Sequence, residues 1–344
     1  MTPTNPHAFW SRRGVANYLL WPLSGLWGLA QRLHRFHRRL IPPKPLPDGV
    51  RTVCVGNILV GGSGKTPFTI FLAQWLQQRG EPVAVALRGY RGAWERCGGI
   101  VSDTEGLRPG AHLAGDEALL LAESLPGIPV AVGRNRRTSI ERLRRIMPSL
   151  RWVVLDDAFQ HLRLPHDVSF VLFSASRGLG NGILLPSGPL REPLAVARVA
   201  DAAVLVGDGD AGFLASTGLP VLRGHFQPGE LVTMTGEPVS IDELRRQKLA
   251  LLSGIGNPAS FEQTVRGLGL EFAAHYAYPD HHDYAPELDS LCARLRRDGI
   301  ERLLTTAKDA ARLRALPALD LPLVALPITF VPEQTALLER IFSP

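Results

Sequence analysis

The string Gly61-Gly62-Ser63-Gly64-Lys65-Thr66 follows the apolar run 53–55 closely, as a phosphate-binding loop follows its strand. Glycines let consecutive backbone N–H groups turn toward a polyphosphate where a Cβ would crowd the anion. Lys65 has the reach for the β- and γ-phosphates, and the Thr66 hydroxyl suits Mg²⁺. A helix expected over 65–78 would set its positive dipole end under the same phosphates. Leu59 and Val60 open the loop, and Leu59 stands where the strict pattern asks for glycine.

Other chemistry-bearing residues close apolar runs further along. Asp156-Asp157 follow the run 152–155, an arrangement that brings carboxylates to the carboxyl edge of a parallel sheet, beside a metal ion. Either acid could be the ligand, directly or through water, and Gln160 and His161 close the same turn. Asp116 and Glu117 open a helix expected over 116–124. They suit the helix dipole there, and they equally suit a base that accepts a hydroxyl proton during phosphoryl transfer. Residues 279–284 (PDHHDY) pack Asp280, His281, His282 and Asp283 together, readable as a His–Asp pair or as a hydrogen-bonded turn. Arg88, Arg134, Arg136, Arg137 and Arg191, the last beside Glu192, add cations at other strand ends, where a guanidinium fork suits a second anionic group.

Apolar runs and helical stretches alternate after the Pro-rich connector 41–47, which predicts an α/β fold with a largely parallel sheet. Strands are expected at 52–56, 82–87, 129–131, 152–155, 168–173 and 203–206, with helices at 65–78, 116–124 and 136–146. The Gly/Pro/Arg-rich stretch 174–199 reads as an active-site loop. A second, smaller α/β lobe follows, with strands at 249–253, 271–275 and 302–306 and helices at 260–268 and 286–297. The expected division is an N-terminal arm and connector over 1–47, a phosphate-loop core over 48–240, and the smaller lobe over 241–344.

The 344 residues are 45% hydrophobic and 20% charged, as in an ordinary globular protein. Cys54, Cys97 and Cys292 are far apart and form no CxxC pair, which argues against zinc and a disulfide framework. The net charge of +6 suggests nucleic acid until it is located. Residues 1–47 hold seven basic and no acidic residues, so the body is close to neutral and a nucleic-acid partner is not expected. Within that arm, residues 15–30 are almost wholly apolar, interrupted by Pro22 and flanked by Arg12-Arg13 and by the cluster from Arg32 to Arg39. Tryptophans and arginines beside a short apolar stretch suit an interfacial membrane anchor, with a core-packed helix and a signal peptide as rivals.

These strings together resemble the tetraacyldisaccharide 4'-kinase family, the membrane-associated lipid A kinases of Gram-negative bacteria. The matching motifs run in order at 55–67 (VGNILVGGSGKTP), 88–90 (RGY), 115–117 (GDE), 155–161 (LDDAFQH), 185–193 (LPSGPLREP), 254–258 (GIGNP), 279–282 (PDHH) and 305–309 (TTAKD). The family's own loop also lacks the first Walker glycine, so Leu59 fits it, whereas Leu87 and Ala158 depart from its usual pattern. The resemblance implies a P-loop NTPase-like core and ATP and Mg²⁺ as cofactors. It further implies γ-phosphate transfer to the 4'-hydroxyl of an acylated glucosamine disaccharide 1-phosphate, at the cytoplasmic face of the inner membrane. By the same resemblance Asp116 is the base, His281 its partner from the second lobe, and Lys65 a catalytic cation. Thr66, Asp156 and Asp157 serve Mg²⁺, while Arg88, Glu117, Arg136, Gln160, Arg191, Glu192 and Asp280 surround the substrate. A membrane-cycling ATPase switch is the alternative, although its distinguishing lysine would fall at position 60, which is Val60.

Overall fold

Apolar runs that alternate with helices build the parallel heart of a nine-stranded sheet. The computed structural model describes residues 10, 14–43, 45–280, 282–314, 316 and 321–343. The chain begins with α1 (Val15–Arg39), β1 (Arg51–Gly56), α2 (Lys65–Gln78), β2 (Val83–Leu87), α3 (Trp94–Cys97), β3 (Gly99–Ser102), α4 (Asp116–Ser124) and β4 (Val130–Val132). It continues through α5 (Arg136–Ile146), β5 (Trp152–Asp156), β6 (Val168–Ser174), β7 (Ala202–Val206), β8 (Val221–Pro228) and β9 (Val232–Thr233). Then come α6 (Ile241–Leu244), β10 (Leu249–Ser253), α7 (Pro258–Gly267), β11 (Ala274–Ala277), α8 (Leu288–Arg297) and β12 (Arg302–Thr306). Helix α9 (Ala307–Leu313), β13 (Leu323–Leu326), β14 (Ile328–Pro332) and α10 (Ala336–Phe342) complete it.

The large sheet has the order β14-β8-β7-β6-β1-β5-β2-β4-β3 and is parallel except for β3 and β14 at its two edges. β1 lies between β5 and β6, and β5 and β2 are fully buried. Burial on both faces explains why these strands read as continuous apolar runs instead of alternating ones. Val53 and Val55 pack into the core on one face with Phe68 and Leu72 of α2, while Cys54 packs into the other with Ile140 and Leu143 of α5. In register, Val55 pairs with Asp156, so the loop after β1 and the acids at the end of β5 leave the same sheet edge side by side.

A five-stranded sheet, β11-β10-β12-β13-β9, forms the second unit and is parallel apart from β9. The chain moves between the units more than the alternation of runs suggests. β8 and β9 both fall after the last strand expected for the core at 203–206; β8 extends the large sheet and β9 the small one. β14 and α10 return to the large unit, where Phe330 meets Phe68 and Phe71 at ring-centroid distances of 5.1 and 5.3 Å. Phe342 likewise meets Trp75 and Trp152 at 5.3 and 5.1 Å. The strand expected at 271–275 lies at Ala274–Ala277, displaced toward the C-terminus.

Helix α1 runs unbroken through Pro22 for 25 residues, where the sequence reading has Pro22 interrupt the stretch. Among the described residues no helix is long and apolar enough to cross a membrane. Its polar side docks on the segment 181–192. Asn17 Nδ2 donates to Ser187 O (2.7 Å), Ser24 Oγ to Leu184 O (2.9 Å) and Trp27 Nε1 to Arg191 O (2.8 Å). The opposite side exposes Leu19, Leu23, Leu26 and Leu33.

Phe330 joins the C-terminal strand to the helix that follows the phosphate loop, and its side chain is buried. Truncation to Ala is expected to destabilise the large unit by about 3–5 kcal/mol. Urea unfolding followed by tryptophan fluorescence measures it, since Trp75 and Trp152 lie in the same core.

Candidate active site

The phosphate loop is held from outside. Gly61 and Gly64 adopt φ of 100° and 79°, and Gly64 caps α2, so Lys65 and Thr66 are the helix's first two residues. The half-buried Phe226 ring of β8 abuts Gly64 where a Cβ would stand. Asn57 Nδ2 donates to Ser63 Oγ (2.8 Å), Val60 N to Pro189 O (2.9 Å) and Arg191 N to Ile58 O (2.8 Å). Leu59 is buried and bridges Leu190. The residue that breaks the strict glycine pattern is therefore a core contact between this loop and the segment 185–193.

The two acids at the end of β5, Asp156 within the strand and Asp157 just past it, differ sharply from each other. Asp156 is buried and accepts from Thr69 Oγ1 at 3.0 Å. Burial first, then the nearby Glu117 and Asp157 carboxylates, push its pKa up to about 7, against the pull of Lys65 and Thr69. Asp157 is exposed, with φ of 48°. The protein packed around its carboxyl would by desolvation raise it even at the surface, but Lys65 (3.6 Å), Arg191 (3.8 Å) and Arg136 hold it below the usual carboxylate range. The left-handed residue of this turn is Asp157 itself. Ala158 is buried and donates its N–H to Val55 O (3.2 Å), so glycine is not required there.

Behind this pair lies Arg136, the first residue of α5, buried and donating Nη1 to Gly133 O (2.5 Å). Burial lowers its pKa to about 10, with Asp156 and Asp157 opposing the fall. Gln160 Nε2 donates to Asn57 O (2.8 Å) and lies 3.3 Å from Glu192 Oε2. Glu192 is buried and takes a two-point contact from Arg35 of α1, at 2.6 and 3.0 Å. Arg88 leaves the same sheet edge but is engaged with Glu95 of α3 at 2.6 Å.

The second unit reaches the site through α9. Arg312 Nε donates to Asp116 Oδ2 (2.6 Å), and Lys308 Nζ contacts Glu117 Oε1 (3.1 Å). Asp280 lies between them, 3.2 Å from Lys308 and 3.8 Å from Arg312. His281, expected as the partner of Asp116, lies outside the described residues. Its neighbour His282 stacks on Tyr278 at 4.4 Å. Asp309 is fully buried and organises this end of α9: it accepts from Gly254 N (3.0 Å), Tyr284 Oη (2.9 Å) and Arg312 Nη1 (2.9 Å). Lys308 and Asp309 lie in the string 305–309, whose sequence alone assigns them no role, and Arg312 falls outside it. The i,i+4 spacing of Lys308 and Arg312 was the available signal, since it puts both on one helical face.

Lys65, Asp157 and Arg191 thus form one cluster, with Asp156, Glu117 and Arg136 beside it. Asp116, Asp280 and Arg312 form a second, joined to the first through α4. Among the described residues no three His, Cys, Asp or Glu side chains are grouped closely enough to hold a metal by themselves. The hard oxygens of Thr66, Asp156 and Asp157 nevertheless suit Mg²⁺, which keeps few protein ligands and takes others from phosphates and water. An anion raised in energy by burial and by two acidic neighbours suits such a cation as well.

A family model described as Tetraacyldisaccharide-1-P 4'-kinase matches residues 16–343. The tetraacyldisaccharide 4'-kinase of Rhodopseudomonas palustris strain BisA53 is 38% identical, over 95% of this chain and 92% of its own length. That of Dechloromonas aromatica is 39% identical, over 89% and 87%. Among solved structures, the "apo" form of LpxK from Aquifex aeolicus in complex with ATP aligns with a TM-score of 0.75 and 29% identity. The alignment covers 96% of this chain and all of that one.

The raised pKa of Asp156 has a thermodynamic consequence. A folded-state value of about 7 lies above the ordinary carboxyl value of about 4, so the folded protein holds this proton more tightly than the unfolded chain. Asp156's contribution to metal-free stability is therefore present below about 4 and lost as pH rises through about 7. Thermal unfolding in EDTA is expected to show wild type losing ground against Asp156→Asn across that window.

Proposed function

Because the chain belongs to the tetraacyldisaccharide-1-P 4'-kinase family, we propose how its residues divide the work of that reaction. It is an ATP-dependent kinase of lipid A biosynthesis, transferring the γ-phosphate to the 4'-hydroxyl of a tetraacylated glucosamine disaccharide 1-phosphate. The membrane-cycling ATPase reading has no support from its relatives.

Gly61, Gly62, Ser63 and Gly64 cradle the polyphosphate, with Leu59 and Val60 forming the loop's entry and Lys65 neutralising the transferring group. Thr66, Asp156 and Asp157 would hold Mg²⁺, which when bound neutralises charge shared by the β- and γ-phosphates. Asp116 takes the proton of the 4'-hydroxyl as that oxygen forms its bond to phosphorus and the bond from phosphorus to the β,γ-bridging oxygen breaks, leaving ADP. Arg312 and Lys308 hold Asp116 and Glu117 from the second unit, and Asp280, beside His281 in sequence, joins the same network. Arg191, with Arg136 behind the acids, supplies further positive charge where the substrate's anionic groups arrive. Arg88 would join them only by leaving Glu95. The observation that carries this division is the common mouth shared by the phosphate loop, the acids at the end of β5 and the start of α4.

The arm completes the reading. The exposed apolar side of α1 beside Arg32 and Arg38 suits the interface of an anionic membrane, where the acyl chains of the substrate also lie. An enzyme resting on the cytoplasmic face of the inner membrane searches a surface for its lipid. The three units of work are the arm and connector over 1–47, the phosphate-loop core from 48 to about 240, and the smaller α/β unit beyond it. The final strand and helix of that last segment serve the core sheet.

Asp116→Ala is expected to lower kcat by about 10²–10⁴-fold, with ATP affinity nearly unchanged, in an assay of 4'-phosphorylation. Wild-type turnover in that variant would remove Asp116 from the role of base. Leu19→Gln with Leu26→Gln, both on the exposed side of α1, is expected to abolish co-sedimentation with vesicles containing anionic lipid. Unchanged sedimentation would remove the anchor.

A further inference from the structure

Helix α1 carries more than an apolar side. Asn17, Ser24, Gly28, Gln31 and Arg35 recur at intervals that put them on one helical stripe, opposite the exposed leucines. That stripe faces the segment 181–192. Asn17 and Ser24 hydrogen-bond to it, and Gly28 permits a close approach to Leu184. A helix that only rested on lipid would not need such a stripe.

At its far end Arg35 reaches into the protein. Its guanidinium forks onto both oxygens of buried Glu192 and lies 5.9 Å from the centre of the Phe159 ring. Glu192 Oε2 is next to Gln160 Nε2, which donates to Asn57 O, and Asn57 in turn holds Ser63 inside the phosphate loop. Trp27 fixes the neighbouring carbonyl of Arg191, whose guanidinium lies beside Asp157. A continuous set of polar contacts therefore runs from the arm to the phosphate loop.

We propose that Arg35 is a positioning residue for phosphoryl transfer: by pinning Glu192 it lets the docked arm set the geometry of Gln160 and the phosphate loop, apart from any role in membrane attachment. This rests on the kinase reading above. A bidentate guanidinium–carboxylate pair fixes orientation as well as charge. Without it, Glu192 is a buried anion lacking its cation and would draw Gln160 or water into a new arrangement.

Arg35→Met and Arg35→Lys separate the two roles, assayed on the acylated disaccharide 1-phosphate in detergent micelles at saturating ATP. Arg35→Met is expected to lower kcat by about tenfold or more, because small misplacements at a reacting site are costly. The lipid KM and vesicle co-sedimentation should stay near wild type, and amide exchange over residues 57–64 should quicken. Arg35→Lys should recover part of kcat, since it keeps the charge and loses the fork. Leu19→Gln with Leu26→Gln should behave oppositely, losing vesicles while keeping wild-type exchange at 57–64. The proposal is overturned if Arg35→Met keeps wild-type kcat, or if its rate falls only in step with vesicle binding. Should Arg35→Met fail to fold, wild-type kcat and exchange in Arg35→Lys would overturn it too. A wild-type protein that fails to phosphorylate the lipid would count against the kinase reading, while the exchange measurement would still judge Arg35.

Discussion

A loop that offers its backbone N–H groups to a polyphosphate cannot also spend them on holding its own shape. Its conformation has to be imposed by neighbours, and much of this structure follows from that constraint. Asn57 braces the loop from its own strand end through Ser63. The segment 185–193 braces it from one side through Pro189, Leu190 and Arg191, and Phe226 blocks the space beside Gly64 from another. The segment 185–193 is in turn backed by α1, so the arm and the phosphate loop share one support.

The same site concentrates charge that burial makes costly. Asp156 sits at the end of a buried strand with Glu117 and Asp157 nearby, while Arg136 is buried behind them. Each is disfavoured alone in a low dielectric, and together they offset one another only partly. What remains is a carboxyl poised near neutrality next to an exposed one that its cations keep acidic, a pairing suited to receiving a cation and a triphosphate together.

Ion pairs join the two units at this mouth. Arg312 and Lys308 hold the acids that begin α4, and a third pair joins Arg314 to Glu123 further along that helix. Asp309, buried at the base of α9, fixes Arg312 and the loop at Gly254 at once. Partly exposed ion pairs of this kind contribute modestly to stability and strongly to orientation. The start of α4 is therefore held jointly by both units.

Local pattern sufficed for the elements with strong periodicity and for motifs that follow them. The strands flanking the phosphate loop, the helices beginning at Lys65, Asp116 and Arg136, and the acids at the end of β5 were legible because each is set by a run and its terminator. Short edge strands such as β3, β9 and β14 were not legible, since what makes them strands is a partner far away in sequence. Pro22 reads locally as a break, yet α1 continues through it while docked on the distant segment 181–192. Arg35 and Arg312 likewise look like members of basic clusters. Only the folded chain decides that one meets Glu192 and the other Asp116, because a salt bridge between residues 157 or 196 positions apart has no local signature. Residue types and spacing determined the chemistry available to this protein; long-range packing decided which cation faces which acid.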